Sequence, residues 1–338
     1  MFDVLLVDGR HVMWRSADAF ANLSIVKDGE RQSTGAVFGF LSIVSKVRLQ
    51  FGKRNSVVIV CWEGGNLKRR SLFPNYKRKP DLIPPDRLRL IESIAFQQGI
   101  VSRLMAGLNV PQAHAPGWEA DDVMGSLAER WRNLGAKTGI FTGDRDLLQC
   151  LDERVSVIRP IGNGEFEIQT PDTFVKDYGI QPRLFPFVKA LAGDRGDSVP
   201  GVRGIGEVKA LKLIKDTLRT QAGLVRVSDD GISLEGIVET GKFALPSSLS
   251  DTLEAEFKSG KLKLWLDLVR IRRNIQPRFQ RTSRWTRKEL ARELMGLRFR
   301  SWLEPGRLDE LQTLGAVMEG GCVRDREEKP NQERNGSA

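Results

Sequence analysis

The chemistry this sequence offers lies in carboxylates spaced so that they can meet. Asp8 and Glu63 each close a short apolar run, and Asp144 and Asp146 close a third in Thr142-Gly143-Asp144-Arg145-Asp146. Glu119-Ala120-Asp121-Asp122 opens a segment whose apolar positions Val123, Leu127 and Trp131 repeat at helical spacing. Asp194 and Asp197 stand three apart in Gly193-Asp194-Arg195-Gly196-Asp197, a spacing that brings them onto one helical turn. Acids gathered at one edge repel each other, and a divalent cation relieves that repulsion. Hard oxygen donors select magnesium or manganese over zinc. His11 and His114 are the only histidines and belong to no HExxH pattern, so a histidine-built zinc hydrolase is excluded. Cys61, Cys150 and Cys322 form no CxxC pair, which argues against a disulfide framework and fits a reducing cytosol.

Each acid has a structural alternative. Glu119, Asp121 and Asp122 suit the positive end of a helix dipole, and Asp8-Gly9 is common turn chemistry. On an ideal helix Glu119 and Asp122 share a face while Asp121 points away. Either the first turn is irregular or the acids serve different metal positions.

The elements that must position them read as an α/β fold. Strands are expected over Phe2 to Val7, Ser56 to Trp62 and Gly139 to Thr142. Helices are expected over Gly35 to Phe51, Asp86 to Leu104, Glu119 to Leu134, Asp146 to Leu151 and Pro171 to Tyr178. Apolar runs alternating with amphipathic helices predict a mostly parallel sheet covered on both faces, with ligands at the strands' C-terminal ends. Asn66 to Pro85, with Lys68, Arg69, Arg70, Tyr76, Lys77, Arg78 and Lys79, is expected outside the core. After about residue 183 the chain turns helical, residues 225 to 250 look like a loop-rich insertion, and Thr286 to Trp302 reads as a last helix. A polar tail is expected from 306 onward, disordered by about Glu319. The domain division is then 1–182, with a basic arch at about 66–100, followed by 183–305 and the tail.

A net charge of +10 and a pI near 9.7 point to a polyanionic partner, nucleic acid above all. The longest apolar stretch, Val57 to Trp62, is too short to span a bilayer, and no signal peptide is visible. No membrane partner and a cytoplasmic location are therefore expected.

Four motifs occur in one order: Val7-Asp8-Gly9, Gly117-Trp118-Glu119-Ala120-Asp121-Asp122, Thr142 to Asp146, and Gly193-Asp194-Arg195-Gly196-Asp197-Ser198-Val199-Pro200-Gly201-Val202-Arg203-Gly204-Ile205-Gly206. In them the chain resembles the flap endonuclease and 5′-3′ exonuclease family, over roughly residues 2 to 275. The resemblance implies a PIN-like α/β domain and a helix-three-turn-helix DNA-binding region. It implies Asp8, Glu63, Glu119 and Asp121 as ligands of one metal cluster, with Asp122, Asp144, Asp146, Asp194 and Asp197 in the same or an adjoining site. Two or more magnesium or manganese ions would serve in-line phosphodiester hydrolysis. Lys77 and Arg70 resemble the arch cations that face the scissile phosphate, and Tyr76 a residue that stacks on an unpaired base. Arg15 is a candidate contact to the 5′ strand. The turn through Gly201, Gly204 and Gly206, with Lys209 and Lys212 beyond it, would offer backbone amides to duplex phosphates. The family often holds a potassium ion at such a turn.

Glu63 stands where the family usually has aspartate, and the stretch from Glu63 to Lys77 is one residue short. The implied partners are DNA with 5′ flaps, nicks or free 5′ ends, RNA–DNA hybrid among the candidates, for a monomer acting beside a separate polymerase in replication, primer removal or repair. Two alternatives are a weakly catalytic DNA-binding protein of the same fold and a PIN-like ribonuclease.

Overall fold

The computed structural model describes residues 1–78, 82–221 and 232–315. Lys79, Cys322, residues 225–231 and the tail from 316, all addressed above, lie outside the described residues.

Short apolar runs form the strands β1 (Phe2–Asp8), β4 (Gly52–Cys61) and β6 (Thr138–Phe141). Their registers are parallel: Val7 lies opposite Val60 on one side and Phe141 on the other. A hairpin of β2 (Ser24–Lys27) and β3 (Glu30–Ser33) stands apart from this sheet. β5 (Gln112–His114), β7 (Val155–Gly162), β8 (Glu165–Gln169) and β9 (Arg278–Phe279) complete a seven-stranded sheet in the order β8-β7-β6-β1-β4-β5-β9. Only the two edge strands run antiparallel to their neighbours. The fold is α/β with a mostly parallel sheet, as expected.

Helices α1 (Gly9–Ala19), α2 (Gly35–Phe51), α3 (Leu67–Leu72), α4 (Pro85–Gly107), α5 (Ala120–Asn133) and α6 (Pro171–Tyr178) surround it. The chain continues through α7 (Phe185–Ala192), α8 (Glu207–Gln221), α9 (Leu234–Ala244), α10 (Ser247–Lys258) and α11 (Lys261–Val269). It ends its described part with α12 (Arg287–Gly296) and α13 (Pro305–Thr313). α1 and α2 approach closely because Gly39 has no side chain: a Cβ there would lie 2.6 Å from Ser16 Cβ.

One core cluster packs α5, α7, α8 and α11 on one face of the sheet; the other packs α1, α2 and α4 with α12 and α13 on the opposite face. The second cluster corrects three expectations. Thr286 to Trp302 is not one helix: α12 stops, Arg298 takes φ 57°, and a 3-10 turn over Arg300–Leu303 follows. The polar tail does not begin at 306, because Leu308, Leu311 and Leu314 are buried. The packing also ignores a break at 182/183, since residues from both sides share each core. Residues 232–250 are no loop but carry α9 and the start of α10, and Asp146 to Leu151 is a 3-10 turn over Arg145–Cys150 rather than an α-helix.

Candidate metal centre and nucleic-acid interface

The C-terminal ends of β1, β4 and β6, with the loop leaving β5, open on one cleft of ≈ 1320 Å³. Asp8, Glu63, Glu119, Asp121, Asp144, Asp146 and Asp194 line it, so the structure brings together seven of the nine acids singled out by spacing.

Asp8 is not a turn residue but the N-cap of α1: Oδ1 accepts from the His11 amide at 2.9 Å. Its Oδ2 accepts from Thr142 Oγ1 at 2.8 Å, which ties the ends of β1 and β6 together. Asp144 caps the 3-10 turn and accepts from the Asp146 amide at 2.9 Å. Two glycines set Glu63 beside Glu119. Gly117 N donates to Gly64 O at 2.7 Å and Gly64 N to Trp118 O at 3.0 Å. A Cβ on Gly64 would lie 1.8 Å from Ala115 O, so only glycine permits this clamp. Glu63 Oε2 then accepts from Ala120 N at 3.4 Å, at the start of α5.

The helix-face conflict resolves here. Glu119 is the N-cap residue in extended conformation (ψ 162°), outside the helical periodicity. Asp121 faces Asp8 and Asp144, whose charges add to burial in raising its carboxyl well above the usual range. Asp122 turns away and is fully buried. It accepts from Arg69 Nη2 at 2.8 Å and the Arg272 amide at 2.9 Å, and its other oxygen also pairs with Arg69. The expectation that Asp122 belongs to the metal site is therefore corrected: both its oxygens are spent on neutralising a buried arginine.

Tyr76 requires a second correction. Its ring is buried, and its hydroxyl donates to Glu119 Oε2 or Asp197 Oδ2, each at 2.7 Å. A ring held there has no face for a base. The basic segment is thus partly core, because Arg69 finds Asp122 and Tyr76 finds two carboxylates. Lys77, at φ 46°, sends Nζ to Glu119 Oε1 at 2.5 Å and Asp197 Oδ1 at 3.4 Å. Arg70 donates to the carbonyls of Tyr76 (3.1 Å) and Lys77 (3.0 Å), fixing that loop on the cleft wall.

Lys189 lies outside the motifs read from the sequence. Its ammonium sits between Asp146 and Asp194. The signal was a single charge in the otherwise apolar α7, five residues before Asp194. Burial pushes Asp146 up to about 7 against the pull of Lys189. Burial opposes Lys189 at Asp194 too, yet there the ammonium and the Asp197 amide hold the carboxyl below its usual range.

The acids thus divide in two. Glu119, Asp146, Asp194 and Asp197 are paired with lysines. Asp8, Glu63, Asp121 and Asp144 have no ion-pair partner among the described residues, and burial raises the pKa of Asp8 and Glu63 as it does Asp121. No three donors among the described residues already stand as a finished ligand shell.

Arg10, Trp14 and Arg87 complete the cleft, the guanidinium of Arg87 lying 4.3 Å from the Trp14 ring. Arg15 is half-buried beside His11 and does not line the cleft. The glycine turn packs directly behind Asp194. Gly201 has φ 67°, and a Cβ on it would lie 2.3 Å from Gly193 N. Gly204 has φ 86°, and its carbonyl accepts from Lys209 Nζ at 3.0 Å. Gly206 is open, just before α8. Arg145 reaches Glu207 at 2.7 Å, joining the Asp144–Asp146 turn to the start of α8.

A family profile described as the N-terminal resolvase-like domain of 5′-3′ exonucleases matches residues 3–179. The chain belongs to the 5′-3′ exonuclease family. It is 36% identical over 218 residues to a 5′-3′ exonuclease of Bacillus subtilis, covering 63% of this chain and 70% of that protein. It is 34% identical over 272 residues to a thermostable DNA polymerase I of Thermus filiformis, covering 80% of this chain and 29% of the polymerase. The chain thus spans under a third of that relative's length. A bacteriophage T5 flap endonuclease, solved as a pseudo-enzyme–product complex with DNA and metal ions, shares the fold of this family member at TM-score 0.61. Identity there is 17%, with 91% of this chain and 96% of that chain covered.

Proposed function

We propose that this chain is a divalent-metal-dependent, structure-specific 5′-3′ exonuclease and flap endonuclease acting on DNA. The observation that carries the reading is the quartet Asp8, Glu63, Asp121 and Asp144, without ion-pair partners among the described residues and lining a cleft that also carries Arg10, Arg87 and Lys77. Asp8 and Asp121, raised in pKa by burial and by neighbouring carboxylates, fit a site that gains a hard cation. Those four residues would hold one ion, and Asp146, Asp194 and Asp197 would contribute to a second once Lys189 and Lys77 release them. Bound ions would lower the pKa of an attacking water and offset charge on the leaving oxygen.

The chain's own groups do the rest. Lys77, held by Glu119 and by the Arg70 clamp, presents an ammonium where phosphate charge develops. Tyr76 orients Glu119 and Asp197 rather than touching substrate. Arg10, Arg87 and Trp14 offer charge and an aromatic face to a strand entering the cleft. The turn at Gly201, Gly204 and Gly206 and the start of α8 offer amides to duplex phosphates. Lys209 already places a cation on the Gly204 carbonyl, a position a potassium ion would share.

A weakly catalytic DNA-binding protein is the second reading, favoured by the Lys189 ammonium between two would-be ligands. One assay separates the two: cleavage of 5′-labelled DNA flap, nicked and RNA–DNA hybrid substrates, with magnesium or manganese and with EDTA. The expected outcome is metal-dependent release of 5′ products, abolished in Asp144→Ala while binding persists. No cleavage by the wild type in either metal would overturn the nuclease reading.

A further inference from the structure

Between Arg278 and Arg300 the chain carries eight basic residues and only two acids, a surplus of six in a protein whose whole excess is ten. This stretch lies beyond the residues 3–179 matched by the family profile. Its acids are committed: Glu289 caps α12 through Thr286, and Glu293 pairs with Arg103 at 2.8 Å. Asp309, brought in by α13, pairs with Arg287. Arg278, Arg281 and Arg284 are exposed and have no ion-pair partner among the described residues.

The backbone beneath them is pinned. The chain leaves α11 along α5, through Arg272 N to Asp122 (2.9 Å) and Ile275 N to Ser126 Oγ (3.1 Å). It pairs as β9 with β5, Arg278 opposite His114. Gln280 N then donates to Gln112 O (2.9 Å), Ser283 N to Ala106 O (2.9 Å) and Trp285 N to Gly107 O (2.7 Å). The Trp285 ring covers Gly107, where a Cβ would lie 2.2 Å from it. The strap's fixed frame spends backbone groups and Trp285 and leaves the arginines unspent.

The position is also informative. The glycine turn joins α7, which packs on the 3-10 turn after β6, whereas the strap closes the opposite edge beyond β4 and β5. We propose that Arg278, Arg281 and Arg284 form a second phosphate-binding track, for the backbone of duplex DNA, running from the C-terminal end of β5 down the sheet edge remote from the glycine turn. This rests on the DNA nuclease reading. The pinned frame carries three exposed cations within seven residues, which suits the dense phosphate charge of a duplex; an anionic lipid surface is the competing partner.

The test uses full-length wild type and the Arg278→Gln/Arg281→Gln/Arg284→Gln variant in magnesium. Binding to a dumbbell duplex closed by loops at both ends, which offers no 5′ end, is followed across a salt series. Flap cleavage by the wild type is assayed in parallel. The variant is expected to bind the dumbbell roughly ten-fold more weakly, and its log K against log salt slope to shrink by about 2 to 3. The Arg→Lys version of the triple should stay close to wild type, because a phosphate contact needs charge rather than a fork. Equal affinity and slope for wild type and the Gln variant would overturn the track while leaving the nuclease reading intact if flaps are cut. Equal losses in the Gln and Lys variants would also overturn it, by exposing a structural effect. Loss of binding to phosphatidylserine vesicles with duplex affinity unchanged would assign the strap to a membrane surface instead. Dumbbell binding that falls as expected, in a wild type that cuts no flap, would support the track and count against the nuclease reading alone.

Discussion

Replacing Asp122 by alanine removes both oxygens that neutralise Arg69, whose side chain is only 6% exposed. It also leaves the Arg272 and Glu119 amides without their acceptor. Breaking a buried pair from one side costs about 3–5 kcal/mol, because the remaining charge stays desolvated. Arg69 keeps Glu119 at 3.1 Å and the Leu268 carbonyl at 2.8 Å, which places the cost near the lower end, about 3 kcal/mol. Unfolding entropy of about 2 cal/mol/K per residue gives this chain roughly 0.7 kcal/mol/K, so the melting midpoint should fall by about 4 °C. Calorimetry in EDTA measures that fall, and titration of manganese into folded protein measures divalent affinity. The expected pattern is lower stability with metal affinity close to wild type. The double variant Arg69→Met/Asp122→Leu should recover most of the stability, since an apolar pair replaces the ionic one. An unchanged midpoint together with lost manganese binding would refute the assignment and return Asp122 to the metal site.

Asp121→Asn should raise the melting midpoint in EDTA, with a larger gain at pH 8 than at pH 5. The folded protein raises this carboxyl, so the native state binds more protons and loses stability as pH climbs above the ordinary carboxylate pKa; equal effects at both pH values would count against it. Gly143→Ala would put a Cβ 2.3 Å from His11 Cε1, so the variant should lose about 1–3 kcal/mol and displace Asp144. Adding His11→Ala should restore the midpoint, and a double variant no better than the single would disprove the contact. Trp302→Ala should cost about 3–5 kcal/mol, because the side chain is fully buried against Phe38 and the α12–α13 corner; a change below about 1 kcal/mol, read from denaturant melts, would show that this end of the chain is not core.

Local periodicity and adjacency settled much of this protein in the sequence itself. The apolar runs of β1, β4 and β6 are strands where their pattern predicts them, and α2 and α6 have the bounds their patterns predict. The acids at the strand ends follow, since parallel strands deliver their C-terminal ends to one edge. Chain-distant partners decided the rest. Asp121 and Asp122 are neighbours of one type, yet one faces Asp8 and the other Arg69, and only the N-cap geometry of Glu119 and the position of α3 separate them. Tyr76 reads as an arch aromatic in sequence and is a buried donor because Glu119 and Asp197, 43 and 121 residues away, supply its acceptors. The buried end at Leu314 and the strap along β5 are illegible for the same reason, each taking its role from elements far away in the chain, while Lys189 shows locally only as a lone charge in an apolar helix and takes its place in the site from Asp146, 43 residues away.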